Sequence, residues 1–198
     1  MFIHNFPPLI PSRFFPTNEV AIKVRQVAIG LAIGALAHHS LVYPLMDKIF
    51  KELGVVTRPQ TLNDYPLGLA HLVFAQLANC IVAPCSEEYI FRGYSQSAIK
   101  DISKPFYLKR GFSDASSEKA ARVTSVLFIM LGFGCIHFLE GALRGKNSID
   151  CVPLVVGTSI LGLLCGIAKE FTGTLHMPIG IHTGFNIVGS LRFETFGV

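Results

Sequence analysis

The sequence predicts an all-α, polytopic transmembrane helix bundle of about five to six spans, with one long interfacial loop on the cytoplasmic side. Three observations predict it. Apolar residues make up 51% of the 198 residues and charged residues only 15%, where an ordinary soluble domain carries roughly 25% charged residues. Mean hydropathy is +0.49. Above all, the charges are gathered between long windows that hold none: Gln26 to Met46, Tyr65 to Ser86, Val123 to Leu139, Cys151 to Ala168 and Phe171 to Leu191. A helix needs about 20 apolar residues to cross a hydrocarbon core of about 30 Å, and a soluble helix keeps a charged stripe for water. In such a chain the net charge of +4 bears on orientation in the membrane. It does not point to nucleic acid, and none is expected as a partner.

Taken in order, residues 1–25 read as an N-terminal interfacial arm, because the stretch PPLIPSRFFP is proline-rich and aromatic. Residues 26–198 read as a single transmembrane helical domain. The first window is too long and too late for a cleaved signal, lacks a small-residue cleavage pattern, and follows charges at Arg13, Glu19, Lys23 and Arg25. It reads as a retained span. The segment Lys100 to Ala121 is the longest polar connection, and its KPFYLKRGF stretch suits a lipid headgroup surface. Ser116-Ser117-Glu118 then leads into the helix of the third span. The short segment Gly141 to Asp150 makes spans three and four antiparallel neighbours. Glycine pairs at Gly30/Gly34, Gly162/Gly166 and Gly180/Gly184 let helix backbones approach closely. With a cytoplasmic N-terminus and Arg92 set aside, ten Lys and Arg fall inside and six outside, the distribution the positive-inside rule favours. The five cysteines form no CxxC pair and read as small hydrophobes.

Ionisable residues inside apolar windows are costly, which makes them functional candidates. In Ser86-Glu87-Glu88-Tyr89-Ile90-Phe91-Arg92, a helix places Glu88 and Arg92 one turn apart and able to pair. Glu87 is rotated by about 100° and points elsewhere, free to act as a base. Alone, this segment reads equally as a charged helix end at the membrane surface. His137 sits late in the third window, four residues after Phe133. His182 and Asn186 share a helix face and could donate to a developing oxyanion, or simply bond across helices. His38, His39, His71 and His176 have no partner spacing and read as interior or interfacial histidines, with His176 bordering the last helix.

Together, EExxxR (Glu87, Glu88, Arg92), FxxxH (Phe133, His137) and HxxxN (His182, Asn186) resemble the CPBP intramembrane proteases. That family, also called Abi, includes CAAX prenyl endopeptidases and bacteriocin-processing or self-immunity proteins. The resemblance covers about residues 67–189. It implies an intramembrane endopeptidase acting on peptides or proteins at the membrane, prenylated CAAX-type or leader-peptide substrates among them. Glu87 would activate a water that His137 shares, Arg92 would hold Glu88 in support, and His182 and Asn186 would stabilise the oxyanion. No cofactor is needed for this glutamate chemistry. A zinc version would use Glu87, His137 and His182 as ligands, although HExxH is absent. A non-catalytic immunity or scaffold protein of the same fold is the alternative. A small transporter is a third reading, without inverted-repeat signs to favour it. The compact form suggests a bacterial inner-membrane protein; the oligomeric state is left open.

One feature of simple straight spans opposes the site. Glu87 comes late in span two and His137 late in span three, so antiparallel neighbours would hold them about 15–20 Å apart in depth. Either Pro84 breaks span two and starts a new helix near Cys85, or span three begins well before Arg122 and is tilted. A carboxylate and imidazoles more than about 8 Å apart, with no water or metal site between, would count against catalysis.

Overall fold

The computed structural model describes residues 19–54 and 68–196. The first 18 residues of the expected N-terminal arm lie outside the described residues, and the rest of it is already helical from Glu19. Among the described residues the chain forms five helical rods and no strand. Rod α1 joins Glu19–Ala37, a π-helical turn His38–Val42 and Tyr43–Leu53. Rod α2 joins Gly68–Leu77, the π-helical turn Ala78–Val82, Ala83–Glu88, a second π-helical stretch Tyr89–Ser95 and Gln96–Lys109. Then come α3 (Asp114–Leu143), α4 (Ser148–Thr172) and α5 (His176–Phe196).

Every charge-free window falls mainly on one of these rods. Three helices, Glu19–Leu53, Asp114–Leu143 and Ser148–Thr172, are long and apolar enough to cross a membrane. The fifth window does not run through as one helix. Gly173, at φ 68°, ends α4 in the left-handed conformation that glycine adopts without cost, and α5 starts afresh at His176.

The long interfacial loop is corrected to a helical hairpin. The polar stretch from Lys100 to Ala121 is helical except for a short turn, because α2 continues to Lys109 and α3 starts at Asp114. The Ser113 hydroxyl caps α3 by accepting the Ser116 N–H at 3.2 Å. Across the hairpin, Lys104 meets Asp114 at 3.1 Å and Glu118 at 3.4 Å, and the Tyr107 and Thr124 hydroxyls lie 2.7 Å apart. The hydrogen bond to Asp114 raises the pKa of Lys104 above its ordinary value. These polar contacts zip together two helices whose composition had suggested a loop.

The rods pack α1 on α5, α5 on α4, α4 on α3 and α3 on the second half of α2. The glycine pairs set the first of these contacts. A methyl on Gly30 or Gly34 would run into the backbone of Met177 or Ile181, and one on Gly180 or Gly184 into that of Val27 or Leu31. At the centre, Phe133, Leu161, Cys165, Ile181, Phe185 and Val42 form a buried cluster. Meanwhile Phe74, Val82, Tyr94, Phe128 and Leu131 face outward. Buried charges within and bare apolar side chains without suit a molecule whose surroundings are lipid.

Candidate active site

The depth problem is solved by the hairpin. Pro84 does not break α2; it follows a π-helical turn, and the backbone stays right-handed helical on both sides. The early start of α3 is what matters. Glu87 stands 22 residues before the end of α2, and His137 stands 23 residues after the start of α3. Antiparallel helices joined by a short turn bring such equidistant residues to one level. Glu87 Oε2 is 3.9 Å from His137 Nε2 and 3.8 Å from His182 Nε2.

Glu88 and Arg92 are both 0% exposed. Arg92 Nη1 donates to Glu88 Oε1 at 3.0 Å, and Nη2 donates to the Gly162 carbonyl at 3.2 Å. The same Glu88 Oε1 accepts His182 Nδ1–H at 2.8 Å. Glu88 thus orients a site histidine as well as neutralising the guanidinium. Phe133, from FxxxH, is the wall they share: its ring lies 4.7 Å from the His137 ring, 5.7 Å from that of His182 and 4.7 Å from the guanidinium of Arg92. The position needs an aromatic face that is apolar yet favours a cation.

Asn186 follows one turn after His182 and donates from Nδ2 to the Asn79 carbonyl at 2.8 Å. Asn79 lies in the π-helical turn Ala78–Val82. Such a turn, where bonds run to the fifth residue instead of the fourth, releases carbonyls for side chains, and π-helical turns recur at functional sites. One N–H of the Asn186 amide is used in this way, and the other has no bond among the described residues.

The six residues singled out in the sequence therefore lie together. Five of them, Glu87, Glu88, His137, His182 and Asn186, face or border a cavity of about 330 Å³ or bond directly to a residue that does; Arg92 backs the site from the protein interior. Glu87 Oε2 is buried and accepts no hydrogen bond among the described residues. The cavity is also lined by residues to which the sequence reading gave no part in the site, Glu140 and His38 among them. Glu140 bonds His137, and its signal was its spacing of three residues from that histidine. His38 lines the cavity and packs edge-on against Phe185 at 4.7 Å; no local spacing marks it. Gln96 was missed too, although Glu88, Arg92 and Gln96 form a stripe with four-residue spacing. It is buried and donates to the Gly166 carbonyl at 3.2 Å and to Glu170 at 2.9 Å. Among the described residues no group of three or more His, Cys, Asp and Glu is arranged to hold a metal ion.

The family described as type II CAAX prenyl endopeptidase Rce1-like matches residues 69–188. No curated protein and no solved structure matches the chain. The matched interval holds all six residues and leaves α1 outside it.

Proposed function

The chain belongs to the Rce1-like type II CAAX prenyl endopeptidases, and from that premise we propose that it cleaves membrane-associated peptides or proteins inside the bilayer by a glutamate-activated water. The observation that carries this reading is the setting of Glu87 Oε2. It is buried, bonded to nothing among the described residues, and within 3.9 Å of two imidazole nitrogens. That separation is too long for a direct hydrogen bond and leaves room for the attacking water of this mechanism, with bonds of about 2.8 Å on each side.

Glu87 takes a proton from this water while His137 Nε2 holds its second hydrogen. The water oxygen bonds to the substrate carbonyl carbon, and the C=O π pair moves onto the oxygen. The remaining N–H of Asn186 donates to that oxyanion, and His182 stabilises it alongside. On collapse the C=O re-forms, the C–N bond breaks and Glu87 returns its proton to the leaving amine. Glu88 and Arg92 act behind the site, holding His182. This scheme needs no cofactor.

The substrates are peptide segments at the membrane, prenylated CAAX-type chains or leader peptides. We place the protein in the inner (plasma) membrane as a compact multi-pass chain, with a cytoplasmic N-terminus on its charge distribution. The test is incubation of the purified protein with a library of membrane-anchored peptides, with and without chelator. The wild type cleaves in both conditions, and Glu87→Gln lowers kcat by about 10²–10⁴. Loss of cleavage with chelator would replace this mechanism by the zinc version. A cellular phenotype that survives both Glu87→Gln and His137→Ala would leave a non-catalytic immunity or scaffold protein.

A further inference from the structure

We propose that Glu140 is the positioning residue for His137, fixing its ring and its tautomer so that Nε2 faces Glu87. The inference rests on the hydrolytic reading above and adds a residue that none of the three motifs contains. His137 Nδ1 and Glu140 Oε2 are 3.0 Å apart. A carboxylate only accepts, so Nδ1 carries the hydrogen, and in the neutral ring Nε2 keeps its lone pair. Nε2 is the atom 3.9 Å from Glu87 Oε2. His137 is thereby prepared to accept a hydrogen from the attacking water.

The arrangement has a counterpart across the cavity. His182 Nδ1 bonds Glu88, Glu88 pairs with Arg92 four residues on, and His182 Nε2 points at Glu87. His137 Nδ1 bonds Glu140, Glu140 pairs with Arg144 four residues on, and His137 Nε2 points at Glu87. Both imidazoles are mounted on a Glu-xxx-Arg pair, and both present the same nitrogen to the same carboxylate oxygen. The difference is depth. Glu88 and Arg92 are sealed inside, whereas Glu140 is 42% exposed and Arg144 more so. Both border the cavity near the α3–α4 turn. A carboxylate placed there lets His137 be held without closing the path of a substrate.

The experiment uses the full chain in detergent micelles with ¹⁵N-labelled histidine. Long-range ¹H–¹⁵N spectra report which nitrogen of His137 carries hydrogen, and peptide cleavage is followed in parallel. In the wild type His137 is the Nδ1–H tautomer. Glu140→Gln abolishes that preference and lowers kcat about 10–100-fold with KM within about twofold, and Glu140→Asp restores part of both. A wild-type His137 protonated at Nε2 overturns the proposal. So does Glu140→Gln with unchanged tautomer and kcat. Should Glu87→Gln cleave as fast as the wild type, the hydrolytic reading falls, while the tautomer spectra still answer for Glu140.

Discussion

Arg92 is the largest fully buried side chain among the described residues. A guanidinium withdrawn from water has only the partners that the protein supplies: Glu88, the Gly162 carbonyl and the face of Phe133. Removing one member of a buried pair strands the other charge, at about 3–5 kcal/mol. Arg92→Met should therefore lower stability by about that amount, read as a fall in Tm in detergent; an unchanged Tm would remove the pair from the support of the fold. Asn186 is a different case. It donates one N–H to the Asn79 carbonyl, and the proposed mechanism uses the other. Asn186→Leu should lower kcat by about 10²–10³ with KM nearly unchanged, as when one oxyanion donor is lost. A pure rise in KM would assign Asn186 to substrate binding instead.

At the scale of elements, departures from regular helix sit where the site is built. The π-helical turns are His38–Val42, Ala78–Val82 and Tyr89–Ser95. The first holds His38, the second offers a carbonyl to Asn186, and the third carries Arg92. Each rotates the helix by an extra fraction of a turn, re-aiming polar side chains while the rod continues. Packing depends instead on glycine. At Gly34 an added methyl meets the Ile181 carbonyl, while at Gly132 it meets nothing within 4 Å. Gly34→Ala should cost about 1–3 kcal/mol by forcing α1 from α5. Gly132→Ala should be neutral or stabilising by up to about 1 kcal/mol, from helix propensity alone. Thermal melts of the two variants in detergent check both, and equal melts would show that the α1–α5 crossing does not depend on close backbone approach.

For the whole molecule, the two ends differ in charge and in chemistry. The hairpin end carries Lys100, Lys104, Lys109, Arg110, Lys119 and Arg122. The site lies towards the opposite end. His137 is 14 residues past Val123, or about 21 Å into an apolar core of about 30 Å. If the basic end is cytoplasmic, a cysteine replacing Lys109 in a cysteine-free background will resist an impermeant maleimide in intact cells. One replacing Lys146 will react. The cavity then opens towards the extracytoplasmic side, and its substrates are segments that reach that face. The reverse labelling pattern would turn the cavity to the cytoplasm and would overturn the orientation drawn from charge.

The fold class, the glycine contacts and the six residues that the structure brings together were legible in the sequence, in part for one physical reason. In lipid a polar side chain must be satisfied by the protein, so a charge or amide inside an apolar window stands out without a structure. His137, His182 and Asn186 carry that mark, whereas Glu87, Glu88 and Arg92 follow directly on a window and stand out by their EExxxR spacing. The hairpin was not legible, because the polar surface of a protruding helix pair has the composition of a loop. Glu140 was not, because it closes a window and belongs to none of the three motifs. His38 was not, because only the packing of α1 on α5 brings it to the cavity. The sequence by itself determined which polar groups the membrane would force together. Only the tertiary structure decided their common depth and the nitrogen each histidine presents, since both depend on where helices start, how they cross and which carboxylate each ring meets.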